Sequence, residues 1–177
     1  MGLVRSERSG PISGKQHTLM ISRLASELQK TINTGLASMK VMKQVDEVIK
    51  SNLERRIAAV LKKLDRLLTS NARSELGNRV GLLYVKLVSL QEVVKSSEEG
   101  YRLACSPKGQ ARVSMLKELL KIDEEIAQFI NSLYELIPQK STVKEESLRE
   151  AEEIVEDLFS LLRRRQGVVA ELKQTKG

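Results

Sequence analysis

The fold is decided by residues 36–73, which read LASMKVMKQVDEVIKSNLERRIAAVLKKLDRLLTSNAR. Apolar residues recur there at spacings of three and four, the pattern of one face of an α-helix held over about seven turns. They are Met42, Val45, Ile49, Leu53, Ile57, Val60, Leu64 and Leu67. The segment therefore predicts one long amphipathic helix whose apolar face must be covered by other helices.

Four cations of the same segment form what we call the basic stripe: Arg55, Lys62, Arg66 and Arg73. At about 100° per residue they share one edge of the helix, away from its apolar face. Such an edge is able to follow the phosphates of a nucleic acid. The alternative interpretation is an ordinary solvated face, because Glu47, Glu54 and Asp65 lie on the adjoining edge.

Four further segments have helical periodicity, over residues 18–33, 75–103, 110–137 and 142–172. The second of these repeats apolar residues in an a/d pattern over nearly three heptads. The last keeps a similar register, with Arg165 as its one charged a/d position. Ser74 is a predicted N-cap, with a continuous helix through Arg73 and a break at Gly77 as the alternative. Thr142 with Glu145 makes the pattern of a capping box.

No segment shows the alternation of a strand, so the sequence predicts an all-α fold. We expect an antiparallel up-and-down bundle of four long helices with coiled-coil-like packing, plus a shorter N-terminal helix. Short connections predict that consecutive helices are antiparallel neighbours. Residues 1–17 are expected to form an extended basic arm, and residues 18–177 a single helical-bundle domain.

Charge is unevenly distributed along the 177 residues, whose net charge is +7. Residues 1–113 carry 20 Lys/Arg against 10 Asp/Glu, whereas residues 114–177 carry 10 against 13. This asymmetry favours either a polyanionic partner at the basic end or head-to-tail association of identical subunits. Solubility alone is the simpler explanation, because a net charge of about 2–8 is ordinary for a domain.

Residue types that carry catalysis are scarce. The chain has one histidine, His17, and one cysteine, Cys105, and it contains neither of the common glycine-rich phosphate-binding motifs. We therefore expect no metal site, no cofactor, no catalytic residues and no small-molecule substrate. The sequence predicts that the protein is not an enzyme.

Localisation is expected to be the cytoplasm or a virion. No apolar run approaches the roughly 20 residues that span a bilayer, and no signal peptide is visible at the N-terminus. Gly2 and Ser6 match the short N-myristoylation pattern, which keeps membrane association open as an alternative.

Cations of the arm extend the candidate interface for nucleic acid. The predicted binding residues are Arg5, Arg8, Lys15, Arg23, Arg55, Lys62, Arg66 and Arg73. The triplet Arg163–Arg165 is expected to add to the same surface. Tyr and Phe together number five and Trp is absent, which disfavours stacking on bases. Binding is therefore expected to be non-specific and to favour a double strand.

The helix over 142–172 changes from acidic to basic along its length. Its charged residues are predicted subunit contacts of a homo-oligomer, in which the acidic start meets a basic surface of the next copy. These residues are Glu145, Glu146, Glu150, Glu153, Arg163, Arg164 and Arg165.

Residues 28–68 resemble the middle helices of the ESCRT-III membrane-remodelling family in the spacing of their Met, Lys and Leu residues. The resemblance implies a membrane-associated assembly protein, although that family's long basic N-terminal hairpin has no counterpart here. The general design is also similar to the helical coat proteins of filamentous archaeal viruses, whose bundles with basic N-terminal arms wrap DNA.

Together these patterns lead to one expectation with two alternatives. We expect a non-enzymatic structural protein of nucleocapsid type, which self-assembles and coats or packages nucleic acid through phosphate contacts. The alternatives are a membrane-associated assembly protein and a cytosolic adaptor whose bundle binds a partner helix.

Overall fold

The computed structural model describes residues 23–24, 26–28, 30, 39–71, 74–97, 99–104, 113–138 and 142–174. Within these residues the helices are α1 (Met39–Asn71), α2 (Glu75–Ser96), α3 (Gly100–Ala104), α4 (Val113–Leu136) and α5 (Glu145–Gln174), and there is no strand. The all-α prediction with four long helices is confirmed. The described residues between 23 and 30 are also helical, where the N-terminal helix was predicted. The arm over residues 1–17 lies outside the described residues.

The four long helices occupy the corners of a square. α1 contacts α2 and α4, and α5 contacts the same two helices. Within the described ranges, α1 does not contact α5 and α2 does not contact α4. The order around the square is therefore α1, α2, α5, α4, which places α1 and α5 at opposite corners.

Helix directions follow from pairs of side chains that meet across the bundle. Arg79 of α2 pairs with Glu152 of α5, and Lys86 pairs with Glu156, so these two helices run parallel. Directions alternate in chain order, as expected for an up-and-down bundle. The prediction that all consecutive long helices are neighbours is wrong for α2 and α4, because the short helix α3 carries the chain diagonally across one end of the square.

The core is aliphatic and follows the predicted periodicity. All eight apolar residues named for the 36–73 segment are buried, as are Leu83, Leu87 and Leu90 of α2. Full burial of one such side chain contributes about 1.5–3 kcal/mol. The apolar faces of the long helices therefore supply most of the force that holds the bundle together.

The two predicted helix caps can be compared with the structure. Ser74 is the N-cap of α2, and its Oγ accepts a 3.0 Å hydrogen bond from the Gly77 N–H, as predicted. The capping box at Thr142 is wrong, because α5 begins at Glu145 and its first main-chain bond joins Leu148 N–H to the Lys144 carbonyl. Val143 is buried instead, so the connection packs on the core before the helix starts.

The predicted helix over 75–103 is interrupted after Ser96. Asp46 of α1 accepts hydrogen bonds from the N–H groups of Tyr101 and Arg102, at 3.1 and 3.0 Å. A carboxylate that caps α3 in this way favours a new helix start at that point. Gly100 suits the close packing there, because a Cβ on it would lie 2.6 Å from Leu119 Cδ2 and the Leu119 side chain would have to shift.

Candidate nucleic-acid interface

The basic stripe lies on the outer edge of α1. Arg55, Lys62 and Arg66 are exposed, and none of the three forms an ion pair with a carboxylate in the part of the chain that the structure describes. Arg73, its fourth member, lies outside the described residues. The three described cations span about 16 Å of helix axis at 1.5 Å per residue. The exposed part of the stripe is thus a row of accessible positive charge.

In two places on α1, two cations adjacent in sequence differ in burial: one is exposed and the other lies inside the bundle. Arg55 and Lys62 are exposed, whereas their sequence neighbours Arg56 and Lys63 are buried towards α4. One residue is a turn of about 100° on a helix, so adjacent side chains face different surroundings. The net charge of the segment therefore overstates what is available to a partner.

The two buried cations are held by the C-terminal end of α4. The Lys63 Nζ lies 3.6 Å from the centroid of the Tyr134 ring, and the Arg56 Cζ lies 4.4 Å from it. Lys63 also donates to the carbonyls of Tyr134 and Ile137, at 2.8 and 3.0 Å. These carbonyls end α4, where a cation is favourable. Burial lowers the pKa of Lys63, and the neighbouring Arg56 lowers it further.

The other predicted nucleic-acid contacts are distributed differently. Arg5, Arg8 and Lys15 lie outside the described residues, whereas Arg23 is helical and exposed. Arg163 and Arg164 are exposed on α5, at the corner opposite α1. The expectation that the 163–165 triplet adds to the basic stripe is therefore wrong, because the two groups do not share a surface.

Arg165 lies inside the bundle, so its prediction as a subunit contact is wrong. Its Nε donates to Asp123 Oδ1 at 2.8 Å and its Nη2 donates to Asp123 Oδ2 at 3.3 Å. The Tyr101 hydroxyl donates to Asp123 Oδ2 at 2.7 Å. Burial alone opposes the charge on Arg165, yet the adjacent Asp123 raises its pKa above the usual value. Burial also raises the pKa of Tyr101.

Asp46 extends this buried polar cluster towards α3. Burial raises the pKa of its carboxyl from 3.8 to about 6, although the N–H groups of Arg102 and Tyr101 act in the opposite direction. Its two oxygens accept main-chain hydrogen bonds, and Asp123 is occupied by Arg165 and Tyr101. The cluster therefore joins α1, α3, α4 and α5, which is a structural role. Asp123 of α4 and Arg165 of α5 are charged residues at core positions of their helices. That pattern was the sequence signal that could have revealed the buried polar cluster.

The predicted acidic contacts on α5 are mostly exposed. Glu146, Glu150 and Glu153 point to solvent. Glu145 is shared within the chain, 3.5 Å from Arg79 and 3.2 Å from Arg149. It is therefore less available to a second copy than the other three.

A pocket of about 270 Å³ opens between the C-terminal ends of α2 and α5. Its polar lining includes Ser96, Ser97, Arg165 and Lys173. The Arg165 side chain is engaged by Asp123, so the pocket wall offers no free guanidinium from that residue. In the described ranges, no three His, Cys, Asp or Glu side chains are grouped so that they could bind a metal ion. None of the described helices is both long and apolar enough to cross a bilayer.

Comparison of the chain with protein-family models, with curated proteins and with solved structures gives no match.

Proposed function

We propose that this protein is a non-enzymatic structural protein that self-associates and coats nucleic acid through non-specific phosphate contacts. The observation that supports the proposal is the exposure of Arg55, Lys62 and Arg66 in one row with no carboxylate partner among the described residues. A phosphate recurs every ~3.4 Å along each strand of a duplex, so the row spans about five of them. The site of action would be the cytoplasm or a virion.

A helical edge of this kind neutralises phosphates without reading bases. Arg and Lys contacts to the backbone position a protein on a duplex but carry no direct sequence information. The segment 55–66 that holds the three cations contains no aromatic residue on which single-stranded bases could stack. Binding would therefore be driven by counterion release and would weaken steeply with salt.

The adaptor alternative is supported by a different surface. Leu82 and Val85 of α2 are 56% and 60% exposed, and Val88 is 37% exposed on the same helix. These apolar side chains lie three residues apart and could contact one face of a partner helix. An adaptor of this type would bind neither DNA nor vesicles.

The test is binding of the chain to a generic double-stranded DNA across a salt series, with anionic vesicles in a parallel series. Replacing Arg55, Lys62 and Arg66 by Gln should reduce the slope of log affinity against log salt by about 2.7, which is 0.9 for each lost phosphate contact. The matched control replaces three exposed cations outside the basic stripe, Lys117, Lys121 and Lys144, by Gln.

The control variant changes the net charge by the same amount as the stripe variant. It should keep most of the wild-type slope of log affinity against log salt. Circular dichroism should show equal helicity in all three proteins, because every replaced side chain is exposed. Equal DNA affinity and equal salt slope for the stripe variant and the wild type would remove the proposal. Binding to vesicles but not to DNA would favour the membrane alternative instead.

A further inference from the structure

The outward face of α2 is apolar, whereas the other long helices expose charged side chains along a similar length. Leu82, Val85 and Val88 are the large apolar side chains exposed on it. The only charged residues of α2 between positions 76 and 91 are Arg79 and Lys86, and each pairs with a glutamate of α5. α2 is therefore apolar on two opposite faces, as expected of a helix that is covered on both.

A row of exposed side chains runs along this face, and we call it the outer row. Its members are Asn78, Leu82, Val85, Val88, Ser89 and Glu92. Each lies within about 60° of Val85 around the helix, at 100° per residue, and the row is about 21 Å long. The buried residues Leu83, Leu87 and Leu90 lie about 140–160° from Val85, so the outer row points away from the centre of the bundle.

The outer row is complementary to itself when two copies run antiparallel. A two-fold axis at the height of Val85 places Leu82 at the height of Val88 of the other copy, so apolar side chains meet. It also places Asn78 at the height of Glu92 of the other copy, each within about 20° of the line between the helices. The Asn78 amide can then donate to that carboxylate at both ends of the contact. Both copies use the same surface, so the contact is isologous and closes as a dimer.

The same arrangement brings no like charges of α2 to equal heights. Glu75 and Lys95, near the two ends of α2, come to equal heights with opposite charges. Glu92 of each copy lies beside the first turn of the other α2, where the helix dipole favours an anion.

Neighbouring helices do not oppose the contact. Because α2 is a corner of the square, α1 and α5 are set back from the partner. Their axes lie about 20 Å from their counterparts in the other copy, at helix spacings of about 8–10 Å. Charges on those helices are therefore largely screened from each other, since the Debye length is about 8 Å at physiological salt.

We infer that α2 of a second copy of this chain packs antiparallel on α2 along the outer row, which makes the protein a two-fold dimer. This inference rests on the self-association in the proposed function but not on its nucleic-acid contacts. A contact between two single helices covers less than the about 800 Å² per partner of stable complexes. The dimer is therefore expected to be weak and to depend on protein concentration.

The dimer leaves both basic stripes exposed. α1 meets α2 at Leu68, whose Cδ1 would lie 3.6 Å from a Cβ built on Gly81. Arg55, Lys62 and Arg66 lie about 120–160° from Leu68 around α1, so they face away from α2. A dimer presents two stripes, which would raise avidity for a long polyanion.

A helix of another protein is the competing occupant of the outer row. The second copy is favoured because the row supplies its own complement in the correct order along the helix. Leu82 and Val88 meet at its centre, and Asn78 meets Glu92 at its ends.

The test is the oligomeric state by sedimentation velocity, without nucleic acid, over a wide range of protein concentration. Val85→Glu and Val85→Lys each place two like charges at the two-fold axis. We expect each variant alone to have a dimer dissociation constant at least tenfold above that of the wild type. Gln128→Glu is the matched control and should leave the dimer intact, because Gln128 is exposed on α4, at the corner opposite α2.

An equal mixture of the Val85→Glu and Val85→Lys variants should associate again, because opposite charges then meet at the axis. Recovery requires position 85 to meet its own counterpart, so contact with a different surface does not produce it. Val85 and Gln128 are exposed, so helicity should not change.

Disulfide cross-linking gives an independent measurement of the same axis. The only cysteine of the chain, Cys105, is first replaced by Ser. Val85→Cys in that background should form a disulfide-linked dimer on oxidation, because the two positions 85 lie side by side at the axis. Gln128→Cys in the same background is the control and should stay monomeric under the same conditions.

A wild type that stays monomeric at its highest soluble concentration would overturn the inference. Equal dissociation constants for the wild type and Val85→Glu would also overturn it, as would a mixture of the two charge variants that stays monomeric. A dimer that ignores DNA would refute the nucleic-acid part of the proposed function and leave this interface standing. A strict monomer that binds DNA through the basic stripe would do the reverse.

Discussion

Arg165 of α5 and Asp123 of α4 form an ion pair inside the bundle, with Nε 2.8 Å from Oδ1. Asp123 is fully buried and Arg165 is 8% exposed. A buried charge that loses its partner cannot recover its hydration, so removing one member costs more than removing both. The pair therefore ties α4 to α5 and makes each residue dependent on the other.

Asp123→Leu alone should lower the free energy of unfolding by about 3–5 kcal/mol, because the Arg165 charge is left uncompensated. Asp123→Leu combined with Arg165→Met should lower it by clearly less. Urea denaturation of both variants measures the difference. Arg164→Met is the control and should stay within about 0.5 kcal/mol of the wild type, because that side chain is exposed. A single variant as stable as the double variant would contradict the role of the pair.

Gly100→Ala should destabilise the protein by about 1–3 kcal/mol, the usual range for overpacking a core. The new Cβ would lie 2.6 Å from Leu119 Cδ2 and 3.0 Å from Val169 Cγ2. Gly167→Ala is the matched variant, and it should stabilise the chain by about 0.5–1 kcal/mol, because nothing lies within 4 Å of the added atom. Thermal unfolding at a concentration low enough to keep the chain monomeric measures both. Equal effects of the two changes would show that the environment of Gly100 is not tight.

Asp46 should make stability depend on pH between about 4 and 6. Its pKa is about 6 in the folded chain, above its ordinary value of 3.8. The folded state therefore binds the Asp46 proton more tightly than the unfolded state does. The resulting contribution to the free energy of unfolding is complete below pH 3.8 and is lost as pH rises through about 6. The total change is on the order of 2–3 kcal/mol, from about two pKa units.

The measurement compares urea denaturation of the wild type and Asp46→Asn at pH 4.5 and at pH 7.5. The stability of the wild type relative to the variant should be higher at the lower pH. Other titrating groups are common to both proteins and cancel in the difference. A difference that stays constant between the two pH values would be inconsistent with a raised pKa of Asp46.

Lys62 and Lys63 are adjacent in sequence, but we expect only Lys63→Met to lower the stability of the fold. Lys63→Met should lower the free energy of unfolding by about 1–3 kcal/mol, because the carbonyls of Tyr134 and Ile137 lose their donor. Lys62→Met should change stability by less than about 0.5 kcal/mol, because Lys62 is exposed.

DNA binding should show the reverse order for the same two variants. Lys62→Met should reduce the salt slope by about 0.9, the value for one phosphate contact, and Lys63→Met should leave it unchanged. Titration of each variant with the same duplex at several salt concentrations decides this. Loss of DNA affinity in the Lys63 variant alone would place the contact on a different surface.

The sequence by itself determined the four long helices and their inward faces, but not the separate short helix α3. Apolar residues at spacings of three and four placed α1 within a few residues of its observed ends, and Ser74 was recognisable as an N-cap because capping depends on neighbours in sequence. Arg165 was recognisable as a charged residue in a core register. Local patterns of this kind depend on contacts within one or two turns, so they can be read without knowing the fold.

Only the tertiary structure decided what each face meets. Asp123 and Arg165 are 42 residues apart, and Lys63 and Ile137 are 74 apart, so no local pattern pairs them. The placement of α1 and α5 at opposite corners depends on the diagonal path of α3, which Asp46 stabilises from another helix. That placement separates the basic stripe from Arg163 and Arg164, because the order of helices around a bundle is fixed by packing and not by periodicity.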